Sequence, residues 1–326
     1  MRKVIWWLVV MVGVVCGKDW PAFEVPSSEV RQGAIGDTRS AGETWQELLL
    51  PHAEDFEPIG VPAPRDWLAS RQEFGQTFRE YLLGRRNGVT PAKSTVYLVP
   101  LGDYGESEVA PEMVVLADFV RLYYRVRAVV LPQVGLVDLG VVSRTGRQGQ
   151  LQLHSAAVLD RLEKRVPENG FALIGVTMED LYPAPEWNYI FGQARVGKRV
   201  GVFSFARYDP RVWGAVLEDD EAKAKRVVLE RGCKVLGHEA GHLLGMLHCI
   251  YFRCVMNGSN HIGEADSRPV HLCPVCLRKA GSATGLNPVL RYRGLARFYR
   301  EKGMDEAAEW CERRVVRGRR AGSGDR

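Results

Sequence analysis

The chain has 326 residues, 46% of them hydrophobic and 25% charged, with a formal net charge of +5. That length leaves room for one large domain or two small ones, with a sizeable core in either case. The composition is that of an ordinary globular protein without repeats or low-complexity segments. So small a charge, with no basic face across the domain, argues against nucleic acid as a partner.

In chain order, the first predicted element is an export signal over residues 1–17. Arg2 and Lys3 form a short positive stretch, and an apolar run over residues 4–15 follows. That run falls short of the roughly 20 residues of a membrane span. Val15 and Gly17 suit the −3 and −1 positions of a cleavage site before Lys18. The expectation is an exported protein, periplasmic or secreted, with no stable membrane insertion after cleavage; an uncleaved membrane anchor is the alternative. A lipoprotein reading through Cys16 is disfavoured, because Val15 precedes it where a small residue is required.

Residues 18–60 hold Gly, Pro and Ser without periodicity and read as a poorly structured lead-in. Trp67, Phe74, Phe78 and Leu82 recur at helical spacing and predict an amphipathic helix after Pro62 and Pro64. Residues 94–101 read as a strand, Leu116, Phe119, Tyr123 and Val126 as the stripe of a helix, and 128–131 as a second strand. Leu151, Val158, Leu159 and Leu162 mark another helix and 171–177 a third strand, so helix and strand alternate as in an α/β layer. Residues 188–194 and 199–207 follow as a hairpin, with Val196-Gly197-Lys198 as its turn and Gly197 free to take a positive φ. A long helix spans residues 221 to 244. Asn287-Pro288 then starts a helix with Val289, Tyr292, Leu295 and Tyr299 on one side, Gly303 ends it, and a last helix carries Trp310. Arg313, Arg314, Arg317, Arg319 and Arg320 predict a solvated, disordered basic tail over residues 313–326.

The long helix carries His238-Glu239-Ala240-Gly241-His242, with Gly245 and His248 beyond it. Residues four apart share a helix face, so His238 and His242 can hold one metal ion from one turn. Glu239, one position on, can reach a water on that metal. Gly245 stands where a left-handed residue ends a helix and turns the chain, which lets His248 approach from outside as a third ligand. Three neutral nitrogens leave the fourth position of a tetrahedral zinc open for water or substrate, as a hydrolytic site needs. The bland alternative is a buried helix whose histidines satisfy core polar groups; Val228 and Val235 lie on the same stripe.

Cys249, Cys254, Cys273 and Cys276 follow at once, in two pairs of which the second is C-x-x-C. They suit a closed four-thiolate zinc site. In an oxidising compartment the same four could form two disulfides instead. Cys233 and Cys311 read as buried thiols, with a disulfide between them left open. Met256 is either plain core packing or a methionine turn beneath the metal.

The run from His238 to Cys276 resembles the archaemetzincins, a metzincin family that places a four-cysteine zinc site directly after the catalytic histidines. The resemblance rests on HExxHxxGxxHC, then Cys254 and Met256, then C-x-x-C after a spacer of sixteen residues. It extends to residues 96–102, 175–182, 191–195 and 204–207, and so covers most of the chain. It implies an α/β, metzincin-like zincin fold in one peptidase domain over residues 61–312: a mixed twisted sheet, an active-site helix and a helical C-terminal part. It also implies two zinc ions per chain, a catalytic one on His238, His242 and His248 and a structural one on Cys249, Cys254, Cys273 and Cys276. Glu239 is then the general base in hydrolysis of a peptide or protein substrate. Residues 200–205 become the edge strand that pairs with an extended peptide, with a hairpin that only packs as the alternative. The chain departs from the pattern at Gly258, where some metzincins carry a tyrosine, so the oxyanion-stabilising group is not readable. A monomer is expected. The alternative function is a zinc-binding protein of the same fold with little or no peptidase activity, against which the retained Glu239 speaks. An interaction or nucleic-acid module on the cysteines and the arginine tail is opposed by the unbroken triad.

Overall fold

The computed structural model describes residues 21–84, 87–214 and 221–322, and the backbone of residues 8–12. Its strands are β1 Leu8–Val12, β2 Thr95–Leu101, β3 Arg127–Val130, β4 Ser143–Thr145, β5 Leu151–His154, β6 Gly170–Thr177, β7 Asp180–Tyr182, β8 Tyr189–Arg195 and β9 Val200–Ser204. They form one mixed sheet in the order β3-β2-β6-β9-β8-β7-β5-β4, with β1 alongside β8. The helices are α1 Ser28–Ile35, α2 Glu43–Leu49, α3 Trp67–Ser70, α4 Phe78–Leu83, α5 Met113–Tyr124, α6 Leu136–Leu139, α7 Ser155–Glu163, α8 Glu221–Leu243, α9 Ile262–Ser267, α10 Pro274–Thr284, α11 Pro288–Glu301 and α12 Asp305–Gly322. The expected α/β class holds. Apart from the β1 backbone, the export segment lies outside the described residues.

β6 is buried at every position, because it pairs in parallel with β2 and with β9 and is covered on both faces. Its pleat sends Ala172, Ile174 and Val176 into the core shared with α5 and α8, and Leu173 into the core shared with α7. β9 repeats this division, with Val200 and Val202 on the α7 side and Phe203 on the α8 side. Gly175 is required for the α7 contact: a Cβ there would stand 2.7 Å from Leu101 and 2.9 Å from Leu162. Every residue of α8 from Val235 to Leu243 is buried. A helix covered on all sides is a core helix, and this one carries His238, Glu239 and His242 into the interior.

Several segments differ from the sequence expectation. The lead-in over residues 18–60 contains α1 and α2. Ser27 caps α1 by accepting from the Val30 N–H, Ala34, Ile35, Leu48, Leu49 and Phe56 are buried, and the Trp45 ring packs where a Cβ on Gly281 would stand only 2.4 Å away. The single helix predicted through Trp67 and Leu82 is two, α3 and α4. Gly75 breaks it at a φ of +68°, a capping box of Thr77 and Glu80 starts α4, and Phe74 is 79% exposed. Leu151 belongs to β5, and α7 begins only at Ser155. In the hairpin turn the positive φ falls on Arg199, at 60°, and not on Gly197.

The edge-strand expectation for residues 200–205 fails, because β9 lies between β6 and β8 with both as partners. The disordered tail is also corrected, since α12 runs through Arg314 and Arg317 to Gly322. These two arginines are three residues apart and share a helix face. Arg314, fully buried, donates to Asp55 Oδ2 at 2.7 Å and lies 4.8 Å over the Phe56 ring; Arg317 Nε adds a contact to the same oxygen at 2.9 Å. Residues 323–326 lie outside the described part.

Asp55→Ala leaves the buried Arg314 guanidinium uncompensated, a loss of about 3–5 kcal/mol. Urea unfolding should show a loss of that order, while Arg319→Ala on the exposed face should stay within about 0.5 kcal/mol of the parent. A tail that does not dock would give no loss in either.

Candidate metal centre

The end of α8 builds the site. Gly245 N–H donates to the His242 carbonyl at 2.8 Å and Met246 N–H to the Gly241 carbonyl at 3.1 Å. These are the paired bonds of a Schellman turn, with Gly245 at a φ of 90°. The turn folds the chain back, so the His248 ring centroid comes to 5.3 Å from that of His238 and 5.1 Å from that of His242. One ring nitrogen of each histidine lies within 4.8 Å of the other two.

Hydrogen bonds fix which nitrogens face inward. His238 Nδ1 is 2.8 Å from the Val255 carbonyl oxygen, and His242 Nδ1 is 2.7 Å from the Met246 carbonyl oxygen. A carbonyl only accepts, so both Nδ1 atoms carry the proton and both Nε2 atoms present a lone pair. Those two Nε2 atoms stand 2.8 Å apart. Burial holds both rings well below the usual histidine pKa, so neither has a second proton to place between them. Two lone pairs at that distance call for a shared cation. His248 Nδ1 is 2.7 Å from the Glu73 carboxylate, and its buried Nε2 has no hydrogen-bond partner.

Glu239 is buried beside them with neither carboxylate oxygen hydrogen-bonded. Burial pushes its carboxyl up to about 8 against the pull of the Arg268 guanidinium; a dication alongside would draw it back down. Three imidazoles with a spare carboxylate fit zinc with an open position.

The second cluster forms next to the first. The four sulfurs of Cys249, Cys254, Cys273 and Cys276 lie within 4.8 Å of one another. All four thiols are free, as are Cys233 and Cys311. Cys249 Sγ and Cys273 Sγ are 3.6 Å apart, far beyond the roughly 2.05 Å of a disulfide. Sulfurs placed tetrahedrally at about 2.3 Å from zinc stand roughly 3.8 Å from one another, close to what is seen. The Met256 and Cys273 N–H groups donate to Cys254 Sγ at 3.5 and 3.3 Å, and such donors favour a thiolate. Hydrogen bonds from the Cys254, Cys273 and Cys276 thiols draw the Cys249 thiol well below its ordinary range. Asn257 holds the frame. Its Oδ1 accepts from Cys254 N–H at 2.7 Å, and its Nδ2 donates to the Cys249 and Phe252 carbonyls at 2.7 and 2.9 Å.

Met256 packs beneath α8, its sulfur only 2.5 Å from where a Cβ on Gly241 would stand. On the other side, the Trp67 ring meets His248 edge-on with centroids 5.1 Å apart. Gly258 admits that ring, for a Cβ there would lie 2.5 Å from Trp67 Cδ1.

The family model described as Peptidase family M54 matches residues 124–281. Archaemetzincin-2 of Mus musculus is 34% identical over 296 residues, covering 83% of this chain and 81% of its own. The chain belongs to the archaemetzincins. Archaemetzincin-1 of Homo sapiens is 32% identical over 276 residues, 76% of this chain and 55% of that one. The crystal structure of an archaemetzincin from Methanopyrus kandleri is 27% identical, covers 59% of this chain and 96% of its own, and superposes with a TM-score of 0.45. As an archaemetzincin, the protein is a zinc-dependent metallopeptidase, a hydrolase acting on peptides or proteins. Among the described residues, no helix is long and apolar enough to cross a membrane.

Sequence reasoning missed Trp67 and Glu73 as neighbours of the three histidines, and Asn257 as the brace of the cysteine loop. Only Asn257 carried a local signal, by following Met256. Asp66, His261 and Glu264 also gather within 4.8 Å, but each is committed elsewhere. Glu264 accepts from the Trp67 and Asn260 N–H groups, Asp66 from the Ala63 N–H and from His261 Nε2, and His261 Nδ1 from the Glu264 N–H. This group fastens the Trp67 segment to the loop after Met256.

Gly258→Ala should therefore cost about 1–3 kcal/mol of stability by overpacking. The same change in a Trp67→Ala background should cost much less, measured as a double-mutant cycle in urea. Equal costs in both backgrounds would mean the two residues do not meet.

Proposed function

We propose that His238, His242 and His248 hold the catalytic zinc of this peptidase, that Glu239 is its general base, and that Cys249, Cys254, Cys273 and Cys276 hold a second, structural zinc. The observation that carries the reading is the pair of unprotonated His238 and His242 nitrogens facing each other at 2.8 Å, with each Nδ1 committed to a carbonyl. When bound, zinc supplies Lewis acidity toward water and the peptide carbonyl. Glu239 takes the proton of the attacking water and passes it to the leaving amine; its two oxygens have no protein hydrogen bond to give up first. The four cysteines would hold zinc with no position left open, since four thiolates fill a tetrahedral site, and they would act by fixing the loop that carries Met256.

An extended substrate chain would be served by the edge of β8 that Leu8–Val12 occupies antiparallel over Tyr189 to Ala194, once that strand is displaced or removed with the leader.

Elemental analysis of protein made without added metal or chelator should give zinc near two per chain. A value near one that survives His238→Ala would overturn the triad assignment, and a value near one that survives Cys254→Ala would overturn the structural site. Glu239→Gln should keep the zinc and lower turnover of a cleaved peptide by about 10²–10⁴-fold; undiminished turnover sinks the general-base role.

A further inference from the structure

Glu73 lies on the loop between α3 and α4, outside the residues 124–281 that the family model matches. Its Oε1 is 2.7 Å from His248 Nδ1 and accepts the Trp67 Nε1–H at 2.8 Å. Two of the three histidines have Nδ1 held by main-chain carbonyls, which no side-chain change removes. His248 differs, since its Nδ1 is held by a side chain alone. It also sits beyond the end of α8, where no helical hydrogen bond fixes the backbone.

The loop around Glu73 grips this turn at more than one point. Gln76 Oε1 accepts the Leu247 N–H at 3.2 Å, Gln76 Nε2 donates to the Gly245 carbonyl at 3.4 Å, and Trp67 packs against the His248 ring.

We propose that Glu73 is the positioning residue of the triad: its carboxylate holds the Nδ1 proton of His248, aims Nε2 at the point where His238 and His242 converge, and makes His248 a stronger ligand. This rests on the three histidines holding zinc. A carboxylate behind a ligand imidazole fixes the tautomer and the ring orientation, and its loss typically lowers metal affinity about 10–100-fold. Trp67 Nε1–H in turn fixes the carboxylate, so the Trp67–Glu73–His248 chain is a second layer contributed by a segment about 175 residues upstream of the ligand it serves.

The test is zinc affinity by competition with a chromophoric chelator, together with the absorption of cobalt(II)-loaded protein, in which imidazole and thiolate ligation give separate bands. The chains compared are the parent, Glu73→Gln, Glu73→Ala and His248→Ala, each with its urea stability. Glu73→Gln keeps size and shape but removes the charge. It should weaken the imidazole site by about tenfold or more and shift its cobalt bands, leaving the thiolate bands and the stability unchanged. Glu73→Ala should weaken it further. Parent-like affinity in Glu73→Gln, or a loss that only follows a loss of stability, overturns the proposal. If His248→Ala also binds as the parent does, the triad reading itself falls; if His248→Ala loses the metal and both Glu73 variants keep it, only the role of Glu73 falls.

Discussion

Three imidazoles can share one cation only if each turns an unprotonated nitrogen to the same point, and in this chain three oxygens impose that, two from the stretch that follows α8 and one from far upstream. The Met246 carbonyl belongs to the turn that ends α8, the Val255 carbonyl to the loop before Met256, and the Glu73 carboxylate to the loop before α4. Each of these segments is held by contacts that make sense only in this light. The Tyr81 and Tyr124 hydroxyls donate to the Leu244 and Gly237 carbonyls at 2.9 and 2.6 Å, pinning the last turns of α8 from α4 and α5. Gly241 and Gly258 leave space for Met256 and Trp67, which enclose the histidines from below and from the side.

Placing the site inside a core helix has an electrostatic consequence. Away from water, neutral imidazole and protonated carboxylate are the favoured forms, which is why the His238 and His242 rings are held neutral and Glu239 is pushed up to about 8. Neutral imidazoles are what a zinc ion needs, so burial prepares the ligands. The same burial works against an ionised base, and a nearby dication removes that conflict. Strands β8 and β9 supply the layer against which α8 packs, and Phe191, Ala194 and Phe203, which they add to the core on that side, are apolar.

What could be read in the sequence was whatever chemistry lies close together along it. His238, His242, Gly245 and His248 fall within two turns of helix and one loop, so spacing alone carried the geometry, including the left-handed Gly245. The four cysteines were legible for the same reason. Glu73 was not, because a lone glutamate in a polar loop carries no signal and its partner is 175 residues away. Arg314 and Asp55 were opaque for a similar reason: the arginine run has the composition of a solvated tail, and only the docked helix shows that two of its members share one face toward a buried carboxylate. The stripe through Trp67 and Leu82 misled because periodicity cannot register a capping box at Thr77 that restarts the helix. The expectation that residues 200–205 form an edge failed on topology. Apolar alternation describes an edge strand and an inner strand alike, and β9 turned out to be the inner member of its hairpin.

The two clusters are best understood as one device. Cys249 directly follows His248, and Cys254 precedes by one residue the Val255 whose carbonyl orients His238. The Cys249 N–H donates to the Met256 carbonyl at 2.8 Å, and Asn257 ties Cys249, Phe252 and Cys254 together. Residues 248–257 therefore form a short closed loop, with His248 at one end and Met256 beneath α8 near the other. A loop of this kind has little regular hydrogen bonding of its own, and a four-thiolate ion at its neck is the simplest way to make it rigid. Rigidity there is transmitted directly, because the Val255 carbonyl can fix the His238 tautomer only while the loop keeps its place. The proposed structural zinc thus acts on the catalytic centre through residues one bond from its own ligands, which is why the cysteines follow the third histidine without a gap.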